Sequence, residues 1–429
     1  MQPNIPESQW PRVVIVGGGF AGLKLAIKLK DSPFQVVLLD KNNFHQFQPL
    51  FYQVATSGLE PSAIAFPFRK IFQKYKNFHF RETYVKRIHA LEHTIECSIG
   101  NIKYDYLVLA TGTDTNFYKI SSIEQNALPM KSVSEALKLR NVVLENFEYA
   151  LVAENAQEKE VNLDILIVGG GPTGVELAGA LADLRNDILP KDYPEIDFTK
   201  MDIHLVESGS KLLAAMSEKS SAYAMRYLEK LKVKVHCGIS VKEFANHEAL
   251  LSNGNTIKAK TLIWAAGVAA NKIEGLPEEA YGPGNRMQVN AYNMVKGTSN
   301  IFAIGDGCLM LTEEKYPKGH PQLAQVAIQQ GALLVKNLKK LHQKEALQSF
   351  HYKDKGSMAT IGRNLAVVDL PFVSFGGFFA WLTWMFVHLM SIVGVKNRLF
   401  IFINWTWAYF TKDQSLRLLI RPKTKQSFS

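Results

Sequence analysis

The chain has 429 residues, enough to bury two or three hydrophobic cores, and its 47% of hydrophobic residues is the composition of a soluble protein. Residues 1–11 contain no positive region followed by an apolar run, so we expect no secretory signal. Cys97, Cys237 and Cys308 lie far apart with no C-x-x-C, and the histidines lack ligand spacing, which predicts buried thiols and no metal. Lysine and arginine (49) outnumber acidic residues (39), for a net charge of +10.

The first pattern along the chain is a buried strand, a glycine-rich turn and a helix. Residues 13–16 are β-branched and apolar, as in a parallel sheet, and residues 23–29 are apolar at helical spacing. The turn fits G-x-G-x-x-G, in which the first glycine bends the chain, the second lets a pyrophosphate approach and the third lets helix and strand pack closely. The helix N-terminus favours the anion. The residues predicted to bind a dinucleotide here are Gly17, Gly19, Phe20, Ala21 and Gly22.

A second predicted strand ends in an acidic residue where this motif needs one. Residues 35–39 lead into Asp40, which lies 18 residues after Gly22 and is followed by Lys41. A carboxylate there accepts hydrogen bonds from ribose hydroxyls. The alternative for a single motif is a plain strand–turn–helix without a ligand. Further on, aromatic residues at helical spacing within residues 62–74 predict an amphipathic helix after Pro67.

The same pattern of strand, glycine-rich turn and helix recurs 152 residues later, about one domain length. Residues 163–168 are the predicted strand, and a later strand over 202–206 ends in Glu207, after a predicted loop over 189–195. The Glu207 carboxylate would bind a 2′-hydroxyl and repel a 2′-phosphate, which favours NADH over NADPH. The dinucleotide-binding residues predicted in this second turn are Gly169, Gly171, Pro172, Thr173 and Gly174.

Two such sites imply two dinucleotides, and the economical pairing is a flavin held permanently and a nicotinamide that exchanges. Two further apolar strands end in small-residue turns that would pass a bound cofactor without obstruction. A third strand ends in Gly-Asp, and its aspartate would hydrogen-bond the ribityl chain of the flavin. The residues assigned to these turns are Ala110, Thr111 and Gly112, then Ala266 and Gly267, and then Gly305 and Asp306.

The last part of the chain is apolar, aromatic and basic. Residues 378–395 contain no Lys, Arg, Asp or Glu, and a second apolar run covers 399–410. From Pro371 onward seven basic residues, several in a tail from Lys412 to Lys425, accompany one acidic residue, which gives +6 of the +10. Charge beside aromatic residues indicates an anionic lipid surface rather than nucleic acid. We predict two helices that dip into one leaflet; the alternatives are one spanning helix or a buried dimer interface. Four tryptophans are placed at the membrane interface: Trp381, Trp384, Trp405 and Trp407.

With these residues the chain resembles the type II NADH:quinone oxidoreductases, within the two-dinucleotide flavoprotein superfamily, over about residues 10–420. The most specific pieces are residues 47–55, the second turn with Glu176, and residues 324–331, which fit the family's A-Q-x-A-x-Q-x-G helix. The resemblance implies a tightly bound FAD, NADH as substrate, and two-electron reduction of a lipid quinone without proton pumping. It also implies a homodimer, attached peripherally to the cytoplasmic side of the cell membrane.

The resemblance further assigns cofactor contacts. Gln48 would lie near the flavin ring, and the backbone of Val85 would meet the adenine. Ala324 belongs to a helix predicted over 321–341 that begins at the flavin, where its N-terminus would stabilise negative charge on the reduced ring.

Three residues are the catalytic candidates. Gln325 and Gln329 are four apart and share one helix face, so their amides could donate to a quinone carbonyl and accept from a quinol hydroxyl. From the residues alone, two solvent-facing or capping glutamines are the alternative. Glu176 would orient the nicotinamide or relay protons; its alternative role is to stabilise the ribose or the helix terminus.

The predicted fold is α/β, with two Rossmann-like domains, the second inserted in the first, and a helical membrane anchor. The FAD domain would comprise residues 10–120 and 291–340, the NADH domain 121–290, and the C-terminal domain 341–429 with anchor helices at about 375–412. Three rival functions remain at this point. A sulfide:quinone oxidoreductase needs paired cysteines at the flavin, a soluble electron-carrier reductase does not need residues 378–410, and a redox sensor binds flavin and NADH without turnover.

Overall fold

The computed structural model describes residues 2–412 and 416–419, so most of the predicted basic tail after Lys412 lies outside the described residues. The chain divides into two compact units. The first unit comprises residues up to Gln46, Phe66–Asp114 and Val268–Asp354, and the second comprises Phe47–Ala65, Thr115–Gly267 and residues from Lys355 onward.

The described strands follow the sequence in short segments. They are β1 (Arg12–Val16), β2 (Gln35–Asp40), β3 (Phe44–Gln46), β4 (Ala65–Pro67), β5 (Phe78–Glu82), β6 (Val85–His89), β7 (Thr94–Cys97), β8 (Gly100–Lys103), β9 (Tyr106–Leu109), β10 (Thr113–Thr115), β11 (Leu128–Pro129), β12 (Ile165–Val168), β13 (Ile203–Glu207), β14 (Lys234–Cys237), β15 (Val241–Ala245), β16 (Glu248–Leu251), β17 (Thr256–Lys258), β18 (Thr261–Trp264), β19 (Val268–Ala270), β20 (Met287–Val289), β21 (Ile301–Ala303), β22 (Cys308–Met310), β23 (Ser357–Thr360), β24 (Ala366–Leu370) and β25 (Val373–Gly377).

The described helices range from one turn to twenty residues. They are α1 (Phe20–Lys28), α2 (Phe51–Ala55), α3 (Pro61–Ile64), α4 (Phe68–Ile71), α5 (Ser121–Asn126), α6 (Val133–Val152), α7 (Ala156–Leu163), α8 (Pro172–Asp183), α9 (Leu189–Asp192), α10 (Glu218–Lys230), α11 (Ala324–His342), α12 (Phe378–Ser391) and α13 (Val395–Thr411). A π-helical turn over Leu184–Ile188 joins α8 to α9.

The first unit is built on a five-stranded parallel sheet with strand order β21-β9-β1-β2-β5. Its central strand β1 is buried on both faces, as the run of β-branched residues predicts. An antiparallel sheet β6-β7-β8 stands in the chain between β5 and β9. Helices α1 and α11 pack closely on one another, and Gly331 is the point of closest approach to α1.

The second unit repeats this plan. Its parallel sheet has the order β11-β18-β12-β13-β14, and an antiparallel sheet β15-β16-β17 stands in the chain between β14 and β18. The repetition therefore extends beyond the glycine-rich turn to the strands around it. A further antiparallel sheet, β23-β24-β25, precedes the last two helices.

Three local predictions differ from the structure. The amphipathic helix predicted after Pro67 is formed only as the single turn α4 (Phe68–Ile71), and the residues up to Pro67 are extended in β4, because a residue before proline avoids the helical region. The loop over 189–195 is wrong at its start, since α9 continues through Asp192 with Pro190 in its first turn. The helix predicted from residue 321 begins at Ala324, after the extended residue Leu323.

The apolar end of the chain forms two helices, α12 and α13, that pack on the second unit through aromatic residues. Trp405 Nε1 donates a hydrogen bond to Gln53 Oε1 (2.8 Å), and Trp384 is 1% exposed. The predicted placement of Trp384 and Trp405 at a membrane interface is therefore wrong, because both indoles are buried in the core. Trp407, by contrast, is exposed. His388 stacks on Trp384 at 4.0 Å, and burial lowers the pKa of His388 to about 4, so it is a packing residue.

Large apolar side chains of α12 and α13 are nevertheless exposed on the outside of both helices. They include Phe379, Phe386, Phe400, Trp407 and Phe410. Among the described residues no helix combines the length and the apolar character needed to cross a bilayer.

The close approach of α1 and α11 gives a test of the packing. A Cβ atom at Gly331 would lie 2.6 Å from the carbonyl oxygen of Ala21, and backbone cannot move aside as a flexible side chain can. We expect Gly331→Ala to lower the free energy of unfolding by about 2 kcal/mol through overpacking, although alanine is the better helix former. Thermal unfolding measures the loss. Lys336→Ala, on an exposed face of α11, should leave stability unchanged; a Gly331→Ala protein as stable as wild type would contradict the packing.

Candidate functional site

In the first glycine-rich turn the backbone requires glycine at two of the three motif positions and leaves space at the third. Gly17 has φ +100°, and a Cβ there would lie 2.3 Å from the carbonyl oxygen of Ala110. A Cβ at Gly22 would lie 1.9 Å from the carbonyl oxygen of Gly17. Gly19 differs, since its φ is −66° and a Cβ would meet nothing within 4 Å. The fold does not demand a glycine at this position, so the open space above Gly19 is available to a ligand.

The second turn reproduces this division of roles. Gly169 has φ +114° and would clash with the carbonyl oxygen of Ala265 at 2.6 Å, and Gly174 would clash with that of Gly169 at 1.9 Å. Gly171 has φ −72°, and a Cβ there meets nothing within 4 Å. Neither α1 nor α8 has a side-chain cap at its N-terminus, so both helix ends present N–H groups to an anion. Pro172 occupies the first turn of α8, where its missing N–H costs nothing.

The two predicted ribose-binding carboxylates lie beside these turns. Asp40 Oδ2 accepts a hydrogen bond from the N–H of Gly18 (2.6 Å), and Glu207 Oε2 accepts one from the N–H of Gly170 (2.6 Å). The other oxygens accept from Asn42 (2.8 Å) and Gly209 (2.6 Å). Each carboxylate therefore ties the end of one strand to the turn after the neighbouring strand. Burial raises the pKa of Asp40, although both N–H donors and the ammonium of Lys41 act against this.

The small-residue turns predicted along a cofactor are formed. Gly112, Gly267 and Gly305 have φ of +63°, +87° and +78°, a conformation that favours glycine. The hydroxyl Oγ1 of Thr111 is buried without a hydrogen-bond partner within the described part of the chain. A buried hydroxyl of this kind is normally satisfied, so it marks a place for a polar ligand group next to Gly17.

The predicted site residues fall into both units. The first unit holds Gly17, Gly19, Phe20, Ala21, Gly22, Asp40, Lys41, Val85, Ala110, Thr111, Gly112, Gly305, Asp306, Ala324, Gln325 and Gln329. The second unit holds Gln48, Gly169, Gly171, Pro172, Thr173, Gly174, Glu176, Glu207, Ala266 and Gly267.

Glu176 lies in a cavity of the second unit. The cavity has an empty volume of about 380 Å³ and is also lined by Gln48, Thr173 and Lys131. Burial raises the pKa of Glu176 to about 8, so a large fraction of this carboxyl is protonated at neutral pH. Such a group is suited to donate and accept protons.

Several residues around Glu176 were not predicted. The N–H of Thr360 points at Glu176 Oε1 (3.4 Å), and the Thr360 hydroxyl lies 3.0 Å from that of Tyr52. Trp384 contributes a nearby indole N–H that favours the ionised carboxylate. Thr360 and Trp384 come from parts of the chain about 200 residues away, and no local pattern could have indicated them. Tyr52 lies inside the predicted segment 47–55, which was the available signal.

The predicted quinone-binding glutamines differ in their surroundings. Gln329 exchanges two hydrogen bonds with the backbone of Lys353, at 2.9 Å to its carbonyl oxygen and 3.1 Å from its N–H. Gln330, which was not predicted, is buried and accepts from the N–H of Gly305 (2.7 Å). Gln330 thus holds the Gly305–Asp306 turn against α11. Gln325 lies one residue after Ala324 in the first turn of α11.

Cys308 is not a reactive thiol. It is buried, accepts weak hydrogen bonds from Gln330 and Asn293 at 3.6 Å each, and burial raises its pKa to about 12. The cysteines of the chain, all within the described ranges, are free. The paired cysteines that sulfide oxidation requires are thus not formed in this structure.

Comparison with known families defines the class of protein. Residues 11–331 match the family model described as pyridine nucleotide-disulphide oxidoreductase, and residues 354–412 match the NDH2 C-terminal domain. The first match covers the two parallel sheets with their turns, and the second covers β23–β25 and the last two helices.

Comparison with individual relatives identifies one family within this class. The chain is 34% identical, over 92% of its length and 86% of the relative, to type II NADH:quinone oxidoreductase NdhA of Mycobacterium tuberculosis. It is 31% identical to Ndh of the same organism, over 96% of this chain and 90% of the other. The solved structure of NDH2 from Plasmodium falciparum in complex with NADH has the same fold, with a TM-score of 0.88, 22% identity, and coverage of 96% of this chain and 100% of the other.

The chain therefore belongs to the type II NADH:quinone oxidoreductase family. It is an NADH dehydrogenase, with FAD as its cofactor and NADH as its substrate.

The raised pKa of Glu176 predicts how stability depends on pH. Because the folded pKa, about 8, lies above the ordinary value of 4.5, the folded protein holds a proton that the unfolded chain releases, and stability falls as pH rises between these values. Glu176→Gln has no carboxyl to titrate at this position, so it removes this loss of stability at higher pH. We expect its melting temperature to rise relative to wild type by on the order of 3 °C or more between pH 5 and pH 8. The exposed-site control Glu195→Gln should follow wild type; a constant difference for Glu176→Gln would refute the shift.

Proposed function

We propose that the chain holds FAD on the first glycine-rich turn, binds NADH on the second, and reduces a lipid quinone to quinol at a membrane surface without pumping protons. The observation that carries this proposal is the pair of matching turns, each with open space above its middle glycine and a carboxylate fixed beside it. Each turn would belong to its own Rossmann-like domain, the NADH domain (121–290) being inserted within the FAD domain (10–120 and 291–340).

The residues of the first turn fit FAD. The N-terminal N–H groups of α1 would accept the pyrophosphate over Gly19, and Asp40 would bind ribose hydroxyls once it exchanges a bond with the backbone for one with the ligand. The unpartnered hydroxyl of Thr111 and the Gly305–Asp306 turn supply polar groups along the ligand. Val85 would meet the adenine through its backbone. When bound, FAD accepts two electrons from NADH and passes them to the quinone.

The second turn fits NADH in the same way. Glu207 would bind the 2′-hydroxyl of the adenosine ribose and repel the 2′-phosphate of NADPH. Thr173, Ala266 and Gly267 would border the ligand on its way to the cavity that contains Glu176. There the Glu176 carboxyl, protonated in part at neutral pH, would hold a proton close to the reacting groups, and Gln48 lines the same cavity.

The quinone would bind at the start of α11. Gln325 would present its amide to a quinone carbonyl, and the N-terminal N–H groups of α11 at Ala324 favour negative charge there. Gln329 would contribute after giving up its bonds to Lys353, or would support the site by fixing residues 353–354 against α11.

Membrane attachment would come from α12 and α13. Their exposed aromatic side chains form an apolar face of the kind that inserts into the headgroup region of one leaflet, next to the basic residues of the same segment. We infer a peripheral enzyme on the cytoplasmic side of the cell membrane, acting as a homodimer.

The assignment of the two turns is tested by a matched pair of substitutions. Asp40→Asn should weaken FAD retention during gel filtration and leave the KM for NADH unchanged. Glu207→Gln should leave FAD content unchanged and lower the preference for NADH over NADPH, measured as a ratio of kcat/KM, by about tenfold, since one carboxylate interaction with the ribose is lost. Exchanged effects, with Asp40→Asn acting on NADH and Glu207→Gln acting on FAD, would show that the assignment is reversed.

Membrane attachment is tested by charge placed on the exposed face. Phe379 is 75% and Phe386 66% exposed, and burial of one such side chain in lipid contributes about 2 kcal/mol. Phe379→Glu and Phe386→Glu should each reduce binding to vesicles that contain anionic lipid by tenfold or more, in a sedimentation assay. Leu91→Glu is the control, because Leu91 is fully exposed in the first unit. Equal binding by all three variants would exclude this face as the anchor.

A further inference from the structure

A second and larger cavity lies in the second unit, between α8 with its π-helical turn, the β23–β24 turn and the last two helices. Its empty volume is about 890 Å³, part of it open to solvent. Three acidic side chains line it, and all three come from one stretch of chain: Glu176, Asp183 and Asp187. The rest of its wall includes the indoles of Trp381, Trp384 and Trp405.

Tyr52 and Glu176 line both this outer cavity and the smaller cavity described above, which also contains Gln48, Thr173 and Lys131. These two side chains therefore stand in the wall between the two spaces. Under the proposed function, the smaller cavity borders the second glycine-rich turn, since Thr173 of that turn lines it, and NADH on the turn would reach it. A proton held by Glu176 can thus be received from one side and delivered to the other.

Asp183 is placed to supply that proton. It is seven residues after Glu176 on α8, which puts both carboxyls on one helix face about 10 Å apart. The hydroxyl of Tyr52 lies close enough to feel the charge of both. That hydroxyl accepts a hydrogen bond from Gln53 Nε2 (3.0 Å) and lies 3.0 Å from the Thr360 hydroxyl, so it can pass a proton without ionising.

The two carboxyls have matched proton affinities. Burial, with help from the charge of Asp187, raises the pKa of Asp183 to about 7, against the N–H and the charge of Arg363. Burial raises the pKa of Glu176 to about 8. Groups of similar pKa near the working pH exchange protons with little loss of free energy. The basic residues that line the cavity are Arg363 and the exposed Lys412.

An independent feature indicates water in this cavity. The indole N–H of Trp384 is buried and, within the described part of the chain, forms no hydrogen bond of normal geometry, although it is near enough to Glu176 to favour the carboxylate. Buried donors of this kind are usually bound to water, and the cavity has room for several water molecules beside the acidic groups on its wall. Water can therefore bridge the distance between the two carboxyls that a direct hydrogen bond cannot span.

We propose that Asp183 is the outer station of a proton path that runs through this cavity, by way of water and the Tyr52 hydroxyl, to Glu176. The path rests on the proposed function, which determines how many protons must pass along it in each turnover. NADH provides one hydride, that is two electrons and one proton, and a quinone needs two electrons and two protons to become a quinol. One proton per turnover must therefore come from solvent. Asp183 takes it up and passes it to Glu176, which releases its own proton towards the smaller cavity and is reprotonated from Asp183.

The test compares Asp183→Asn with wild type in the two half-reactions of the FAD-loaded enzyme. Bleaching of the flavin by NADH without oxygen needs no solvent proton from this path and should be unchanged. Reoxidation by a short-chain quinone should slow by about tenfold, more strongly at pH 8 than at pH 6, because protons are scarcer there. A solvent deuterium isotope effect on reoxidation should appear or increase, and added imidazole should restore part of the rate.

Three further measurements distinguish a loss of proton transfer at Asp183 from structural damage caused by the substitution. Asp183→Glu should keep most of the rate, since it restores the carboxyl. The infrared band of a protonated carboxyl at neutral pH should decrease in Asp183→Asn. Glu195→Gln, an exposed acidic residue of the same segment, should behave as wild type.

The outcomes distinguish a failure of the proposed proton path from a failure of the proposed function. Wild-type reoxidation rate, pH dependence and isotope effect in Asp183→Asn would overturn the path, as would equal slowing of both half-reactions with a lower melting temperature. A wild-type enzyme that NADH reduces but no quinone reoxidises would overturn the proposed function instead.

Discussion

The hydrogen bond between the middle of each glycine-rich turn and the acidic residue at the end of the next strand sets the geometry of both candidate nucleotide sites. The N–H of Gly18 bonds to Asp40 and that of Gly170 to Glu207, at 2.6 Å in each case. The bond holds the turn so that the following glycine faces open space, next to a helix N-terminus that has no side-chain cap. It also places a carboxylate where a ribose would lie. The same constraint, used twice in one chain, is what an enzyme that binds two dinucleotides requires.

The carboxyl of Glu176, buried next to the second turn, adds a different constraint. Glu176 is 8% exposed, and its protonated form is favoured by burial rather than by an ion pair. Its neighbours come from α2, β23 and α12, so the last helices of the chain contribute directly to the environment of a residue near the second turn. Trp384 and Trp405 are buried on the same side, so the predicted membrane anchor also forms part of the surroundings of Glu176.

The elements that the sequence predicted well are those specified by local patterns. The strands that end at Asp40 and Glu207 are formed, as is the strand before the turn of Ala110 to Gly112, because apolar runs followed by small or acidic residues specify both a strand and its end. Predictions failed where tertiary contacts or proline geometry decide the outcome. The helix predicted after Pro67 is shortened to the single turn α4, and Trp384 and Trp405 face inward although tryptophans of such a segment are typical of a membrane interface. Tyr52, Thr360 and Asp183 could not be found, because the contacts that give them a role join segments far apart in the chain.

The central claim is that one flavin in this chain takes electrons from NADH and gives them to a lipid quinone. Anaerobic titration of the FAD-loaded enzyme in vesicles tests it most directly, with the flavin absorbance as readout. The account predicts that one equivalent of NADH bleaches the flavin and one equivalent of quinone restores it, while NADPH and sulfide act poorly as donors. Bleaching by sulfide in preference to NADH, or a reduced flavin that quinone fails to reoxidise, would contradict it.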